Sequence, residues 1–241
     1  MILEICVDDA AGLDAAIKGG ADRIELCAAL SGGGVTPSSG FMQLAGSVDI
    51  PVSVMIRPRS GDFMFGRAEL DVMKHDIDAA RRAGVSGVVL GASLANGALD
   101  TDMLEDLCAH AHGLDTTLHR AVDVVPDFPE AVEAAIALGF SRILTSGGAK
   151  SAFEGIDQLE AMIEVARGRI SIMPGAGVRP TVVADILQRL AISEIHASCS
   201  SSAPFDADNR LSMLGFTVSH GKKTDEATVR QLKQILNSSR S

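Results

Sequence analysis

Short apolar runs recur along the chain at a near-regular interval: Ile2 to Cys6, Arg23 to Cys27, Val52 to Arg57, Gly87 to Gly91, Thr117 to Arg120, Arg142 to Ser146, Ile170 to Met173 and Glu194 to Ser198. Each has the length of a strand. The segments between them carry helical periodicity instead. Leu70, Met73, Ile77 and Ala80, or Ala131, Ala134, Ala135 and Leu138, follow the i, i+3, i+4 spacing of a buried stripe. Gly20, Gly84, Gly113, Gly139 and Gly168 each follow such a segment and precede the next run, as left-handed helix caps do. Strand, helix and glycine repeat at roughly thirty residues, the size of a βαβ unit. Eight units in 241 residues predict an α/β chain folded as one (β/α)8 TIM barrel over residues 1–241. An open doubly wound sheet would want a glycine-rich phosphate fingerprint after the first strand, and Cys6-Val7-Asp8-Asp9-Ala10 contains no glycine.

Two segments depart from the repeat. Leu30-Ser31-Gly32-Gly33-Gly34-Val35-Thr36-Pro37-Ser38 reads as a glycine-rich loop before a short helix capped by a Ser or Thr near Pro37. Beyond the eighth run, Cys199 to Pro204 is a serine-rich stretch, and residues 205–241 read as a C-terminal loop and a closing helix from Thr224 to Leu236.

In a barrel of this kind the strand C-terminal ends carry the chemistry. Here that rim collects Glu4, Cys6, Glu25, Cys27, Met55, Arg57, Arg59, Asp62, His119, Arg120, Asp123, Thr145, Ser146, His196 and Cys199. Leu3-Glu4-Ile5-Cys6 and Ile24-Glu25-Leu26-Cys27 are near-copies, and residues two apart on a strand share a face. Glu4, Glu25, Arg57, His119 and His196 can therefore point into one cavity, with Arg120 and Asp123 beside them. Carboxylates serve as general bases, imidazoles exchange protons near neutral pH, and a guanidinium holds an anion or enolate-like oxygen. Thr145, Ser146 and Gly147 after the sixth strand, and Gly175 and Gly177 after the seventh, offer donors for a phosphate or other small anion. Cys6, Cys27 and Met55 end the first three strands and supply the soft ligands that Cu(I) favours.

Composition narrows the partners. The net charge of −10 argues against nucleic acid or an anionic membrane surface, and the lack of Trp and Tyr leaves few platforms for stacking bases. No apolar run approaches the ~20 residues of a membrane span. Glu4 and Asp8 interrupt any leader-like apolar stretch, so the expected location is cytoplasmic. The four cysteines, Cys6, Cys27, Cys108 and Cys199, show no C-x-x-C spacing and are expected to be free thiols. Cys108 reads as core, and His75, His110, His112 and His220 as solvated.

Five segments resemble the CutC copper-homeostasis family: Gly20 to Cys27, Gly33 to Ser38, Val54 to Phe63, Leu118 to Asp123 and Arg142 to Gly148. The resemblance implies a cytoplasmic (β/α)8 barrel, a link to copper handling and a homo-oligomer, commonly a dimer. It also implies that Glu25, Met55, Arg57, Asp62, His119, Arg120, Asp123, Thr145 and Ser146 occupy the family's motif positions. Two functions stay open at this point. One is a copper-binding homeostasis protein using Cys6, Cys27 and Met55. The other is a barrel enzyme acting on a small anionic metabolite, with Glu25 as base, His119 as acid/base and Arg57 as anion clamp.

Overall fold

The computed structural model describes residues 1–203, 210, 213–214 and 221–238. Its strands are β1 (Ile2–Val7), β2 (Arg23–Leu26), β3 (Val52–Met55), β4 (Gly87–Leu90), β5 (Asp115–Leu118), β6 (Arg142–Thr145), β7 (Ser171–Pro174) and β8 (Glu194–Ala197). They form one parallel sheet in the order β7-β6-β5-β4-β3-β2-β1-β8, and β7 lies beside β8 at the seam, so the sheet curls into a nearly closed barrel. Helices follow: α1 (Ala10–Gly19), α2 (Ser39–Ala45), α3 (Arg67–Arg82), α4 (Thr101–His110), α5 (Phe128–Ala137), α6 (Ile156–Ala166), α7 (Val183–Arg189) and α8 (Glu226–Ser238). Among the described residues no helix is long and apolar enough to cross a membrane.

Strand parity divides the buried residues into two populations. Leu3, Ile5, Ile24, Leu26, Val54, Val88, Leu90, Ile143 and Ile195 face outward and join the helix stripes, such as Met73, Ile77 and Ala80, in one apolar core. The alternate positions face the barrel axis, and there Glu4, Arg23, Glu25, Arg142, Glu194 and His196 are all buried. Burial of the outward set supplies the apolar driving force. The inward set is left to carry polarity that the outer core excludes.

The expected punctuation is present: all five inter-unit glycines have positive φ, from 74° to 94°, and Ser38 caps α2 by accepting from the Phe41 N–H at 3.2 Å. Two boundaries differ. β5 starts at Asp115 and ends at Leu118, so His119 follows the strand and Arg120–Val124 forms a 3-10 turn. The serine-rich stretch is not a plain loop: Ser200–Ala203 forms β9, which pairs antiparallel with β10 (Gly221–Thr224). Its serines carry no apolar alternation, which is the signal that strand reading depends on. The closing helix begins at Glu226 because Asp225 accepts from the Thr228 N–H at 2.7 Å, an N-cap contact. That helix packs on α1, where Gly19 leaves room for Val229, and Lys233 binds Asp22 at 2.6 Å. The expected solvated His220 lies outside the described residues.

Candidate functional site

The barrel interior is built in three layers, each set by residues two apart on the strands. The deepest is a salt-bridge network. Arg23 donates to both Glu4 and Glu194, while Arg142 reaches Glu194 at 3.1 Å, Asp115 at 2.6 Å and the Thr117 hydroxyl at 2.9 Å. Every charge here has a partner. Glu4 therefore sits a layer below the rim, fully buried, rather than at the mouth. The charged side chains at Arg23, Arg142 and Glu194 are not among the rim candidates named from the sequence. Parity was the available signal, since Arg23 shares a face with Glu25, and Glu194 shares one with His196.

The middle layer joins the twin Glu-x-Cys motifs to β8. His196 Nδ1 lies 2.8 Å from Glu4 Oε1, and its Nε2 lies 3.8 Å from Glu25 Oε2. Cys6 Sγ, a Glu25 oxygen and a His196 ring nitrogen lie within 4.8 Å of one another, all buried. The Cys27 thiol donates to Glu25 Oε2 at 3.5 Å. Burial opposes the ionisation of Glu4, but the hydrogen bond from His196 and the charge of Arg23 win and bring its carboxyl down to about 2. Burial also opposes charge on His196, yet Cys6 and the carboxylates of Glu25 and Glu4 hold its pKa well above the usual imidazole range. Glu25 is raised by burial, and Cys27 is pushed well up by burial and by Glu25 beside it.

At the mouth, Met55 packs with Cys27 and Val89 under Leu30. Arg57, which follows β3, donates through Nη1 to the Gly34 carbonyl at 2.9 Å and through Nη2 to the Gly61 carbonyl at 2.7 Å, tying together the loops after β2 and β3. Its guanidinium carbon stacks 4.8 Å from the Phe63 ring centre, and Phe63 lies 4.9 Å from the His119 ring. His119 Nδ1 accepts the Ala121 N–H at 3.1 Å, which puts the proton of the neutral ring on Nε2. Burial first, and the charge of Arg57 second, lower its pKa to about 3. Gly91 makes this placement feasible: a Cβ there would stand 2.5 Å from the His119 ring.

A fourth group closes on itself beside the mouth. Asp123 accepts from the Thr145 hydroxyl at 2.6 Å, the Ser146 N–H at 3.0 Å, the Gly148 N–H at 3.2 Å and Arg120 Nε at 2.6 Å. Arg120 also donates to Ser146 Oγ at 2.7 Å, the Gly147 N–H bonds Thr145 Oγ1 at 2.9 Å, and the Gly175 N–H bonds the Thr145 carbonyl at 2.9 Å. These groups direct their hydrogen bonds to one another and pin the loops after β5 and β6. Gly177, exposed with φ of 69°, passes close to Ser151. Arg59 pairs with Asp62 and Glu69 on the surface. Cys199 joins the outer core, at a positive φ of 43°, and does not share the His196 face. Cys108 is only partly buried against the core rather than within it.

The fold and this interior define a (β/α)8 barrel whose axis holds a buried acid–thiol–imidazole centre. The sequence pattern of the CutC family spans residues 1–201, and the chain belongs to that family. A relative from Agrobacterium fabrum, named family protein CutC, is 66% identical over 98% of this chain and 94% of its own length. The human copper homeostasis protein cutC homolog is 42% identical over 97% of this chain and 88% of its own. The crystal structure of the putative copper homeostasis protein CutC from Streptococcus agalactiae superposes with a TM-score of 0.78 at 34% identity, covering 82% of this chain and 98% of that one. A thiamine phosphate pyrophosphorylase from Pyrococcus furiosus, at 15% identity and a TM-score of 0.61, shares the fold alone.

Proposed function

We propose that the chain is a cytoplasmic copper-homeostasis protein that binds one Cu(I) ion in the middle layer of the barrel. The observation that carries this reading is the Glu4–His196 hydrogen bond at 2.8 Å, which fixes Nδ1, with Nε2 3.8 Å from Glu25 Oε2 and a ring nitrogen within 4.8 Å of Cys6 Sγ. A carboxylate that orients the far nitrogen of an imidazole is the usual support of a metal-ligating histidine. Metal–sulfur and metal–imidazole bonds of about 2.0–2.3 Å span donors roughly 4–4.6 Å apart, so little movement separates this cluster from a coordinating one.

Charge favours a monovalent ion. The Glu25 and Glu4 carboxylates that raise the His196 pKa favour positive charge at the ring, and a Cu(I) ion there supplies one. Cys6 and Cys27 supply the soft sulfur that Cu(I) prefers over oxygen, with the Met55 thioether above them. The raised pKa of Cys27 means that its proton must leave as copper arrives, and Glu25, at 3.5 Å, is placed to receive it. Affinity is then expected to rise with pH.

The test is an anaerobic titration with Cu(I) against a competing chelator, on wild type, Cys6→Ser and Cys27→Ala, with folding checked by circular dichroism. One ion per chain is expected, with affinity at least about 100-fold weaker in Cys6→Ser. Equal stoichiometry and affinity in all three proteins would remove copper from this centre.

A further inference from the structure

We propose that the barrel mouth is a binding site for a small, singly charged carboxylate, held by Arg57 Nε–H and His119 Nε2–H. This site lies above the copper centre and shares none of the sulfur or imidazole ligands assigned to it.

Three buried arginines point to the axis, and they are not alike. Arg23 and Arg142 are each paired with two carboxylates. Arg57, only 4% exposed, has no carboxylate within ion-pair distance among the described residues. Its Nη atoms are engaged by neutral loop carbonyls, which fix its plane without neutralising it. An unpaired buried cation is costly unless an anion joins it.

The unfilled hydrogen bonds say where that anion goes. Among the described residues, Arg57 Nε and His119 Nε2 are two of the few buried side-chain atoms with no partner. Both are donors, because the Ala121 N–H already occupies the acceptor nitrogen of His119. Both residues lie against the same Phe63 ring, at 4.8 and 4.9 Å. Gly91, between the ends of β3 and β5, leaves room for the His119 ring to pack directly over the backbone. Two N–H donors, one of them charged, match the two oxygens of a carboxylate.

The size of the charge selects among anions. Arg57 supplies a single positive charge, because His119 is neutral. A monoanion balances it, whereas a phosphate dianion would leave net negative charge near Asp62, whose carboxylate already acts on Arg57.

Acetate, lactate and inorganic phosphate are the probes, titrated calorimetrically at matched ionic strength into copper-free wild type, Arg57→Lys and His119→Asn. Asparagine keeps an acceptor for the Ala121 N–H while removing the distal donor; lysine keeps the charge but loses Nε–H. Acetate and lactate are expected to bind wild type more tightly than phosphate, and both variants to weaken them by about tenfold or more. If Arg57→Lys fails to fold, because it also loosens the loops around Gly34 and Gly61, His119→Asn decides alone. Carboxylate affinity equal in His119→Asn and wild type, a preference for phosphate, or no carboxylate binding at millimolar concentrations each overturns the proposal. Cu(I) stoichiometry measured on the same His119→Asn protein is expected to stay at one per chain, so failure of this site and failure of the copper reading are distinguishable.

Discussion

Glu4→Gln is expected to destabilise the folded chain by about 3–5 kcal/mol, measured as a fall in the urea midpoint at unchanged slope. Glutamine preserves the shape of the side chain and can still accept from His196, so no cavity opens. What it removes is one of the negative charges that neutralise Arg23 and His196 at a fully buried position. Arg23 keeps Glu194 but that carboxylate is already shared with Arg142. Losing one partner of a buried network leaves desolvated charge behind, and this outweighs any relief from dismantling the pair. Glu133→Gln is the control, because its ion pair with Arg169 lies on the surface and barely contributes. A midpoint for Glu4→Gln equal to that of Glu133→Gln would show that the deep layer is not a stabilising network.

The second large effect is acid sensitivity through His119. Its ring is neutral and buried in the native state, with a pKa lowered to about 3 from 6.5. The unfolded chain therefore binds a proton below 6.5 that the folded chain does not, and stability falls as pH falls through that window. Between pH 6 and 4 the wild type should lose about 1.4 kcal/mol per pH unit more than His119→Asn, which has nothing to titrate there. His196 acts oppositely: its raised pKa gives stability that is complete below 6.5 and fades as pH rises through its folded value. Glu4 contributes stability that is present above 4.5 and is lost as pH drops towards about 2. These two groups are common to both proteins, so the difference between the two urea-midpoint profiles reports His119. Parallel profiles would show that the native His119 ring takes up a proton as readily as the unfolded one, and with that the assignment of a neutral ring with its proton on Nε2 would fail.

Much of this architecture is legible in the chain. The eight apolar runs coincide with the eight barrel strands, because each run alternates between the outer core and the axis, and the inter-unit glycines take the backbone conformation that their positions predict. Ser200–Ala203 shows where such reading ends: a strand made of serines owes its pairing to a partner at Gly221–Thr224, not to a pattern of its own. At the site, parity correctly groups Glu4 with Cys6 and Glu25 with Cys27. Depth along the axis is harder to read. The same two-residue spacing places Glu4 in a neutralised layer and Cys6 above it, and only the register of β1 against β2 and β8 decides which. Thr145, Ser146 and Asp123 were readable as polar rim residues, whereas their mutual hydrogen bonding depends on a 3-10 turn that the sequence does not announce. Phe63 and Gly91, which shape the mouth, carry no chemical signal and acquire meaning only from what packs against them.

In the proposed function the twin Glu-x-Cys motifs and His196 form one copper centre on the barrel axis. Diffraction at the copper edge, from crystals loaded anaerobically with Cu(I), tests it most directly. One anomalous peak inside the barrel, bonded to Cys6 Sγ and His196 Nε2, is expected. No peak on the axis, or copper found only at the surface histidines His75, His110 and His112, would contradict it.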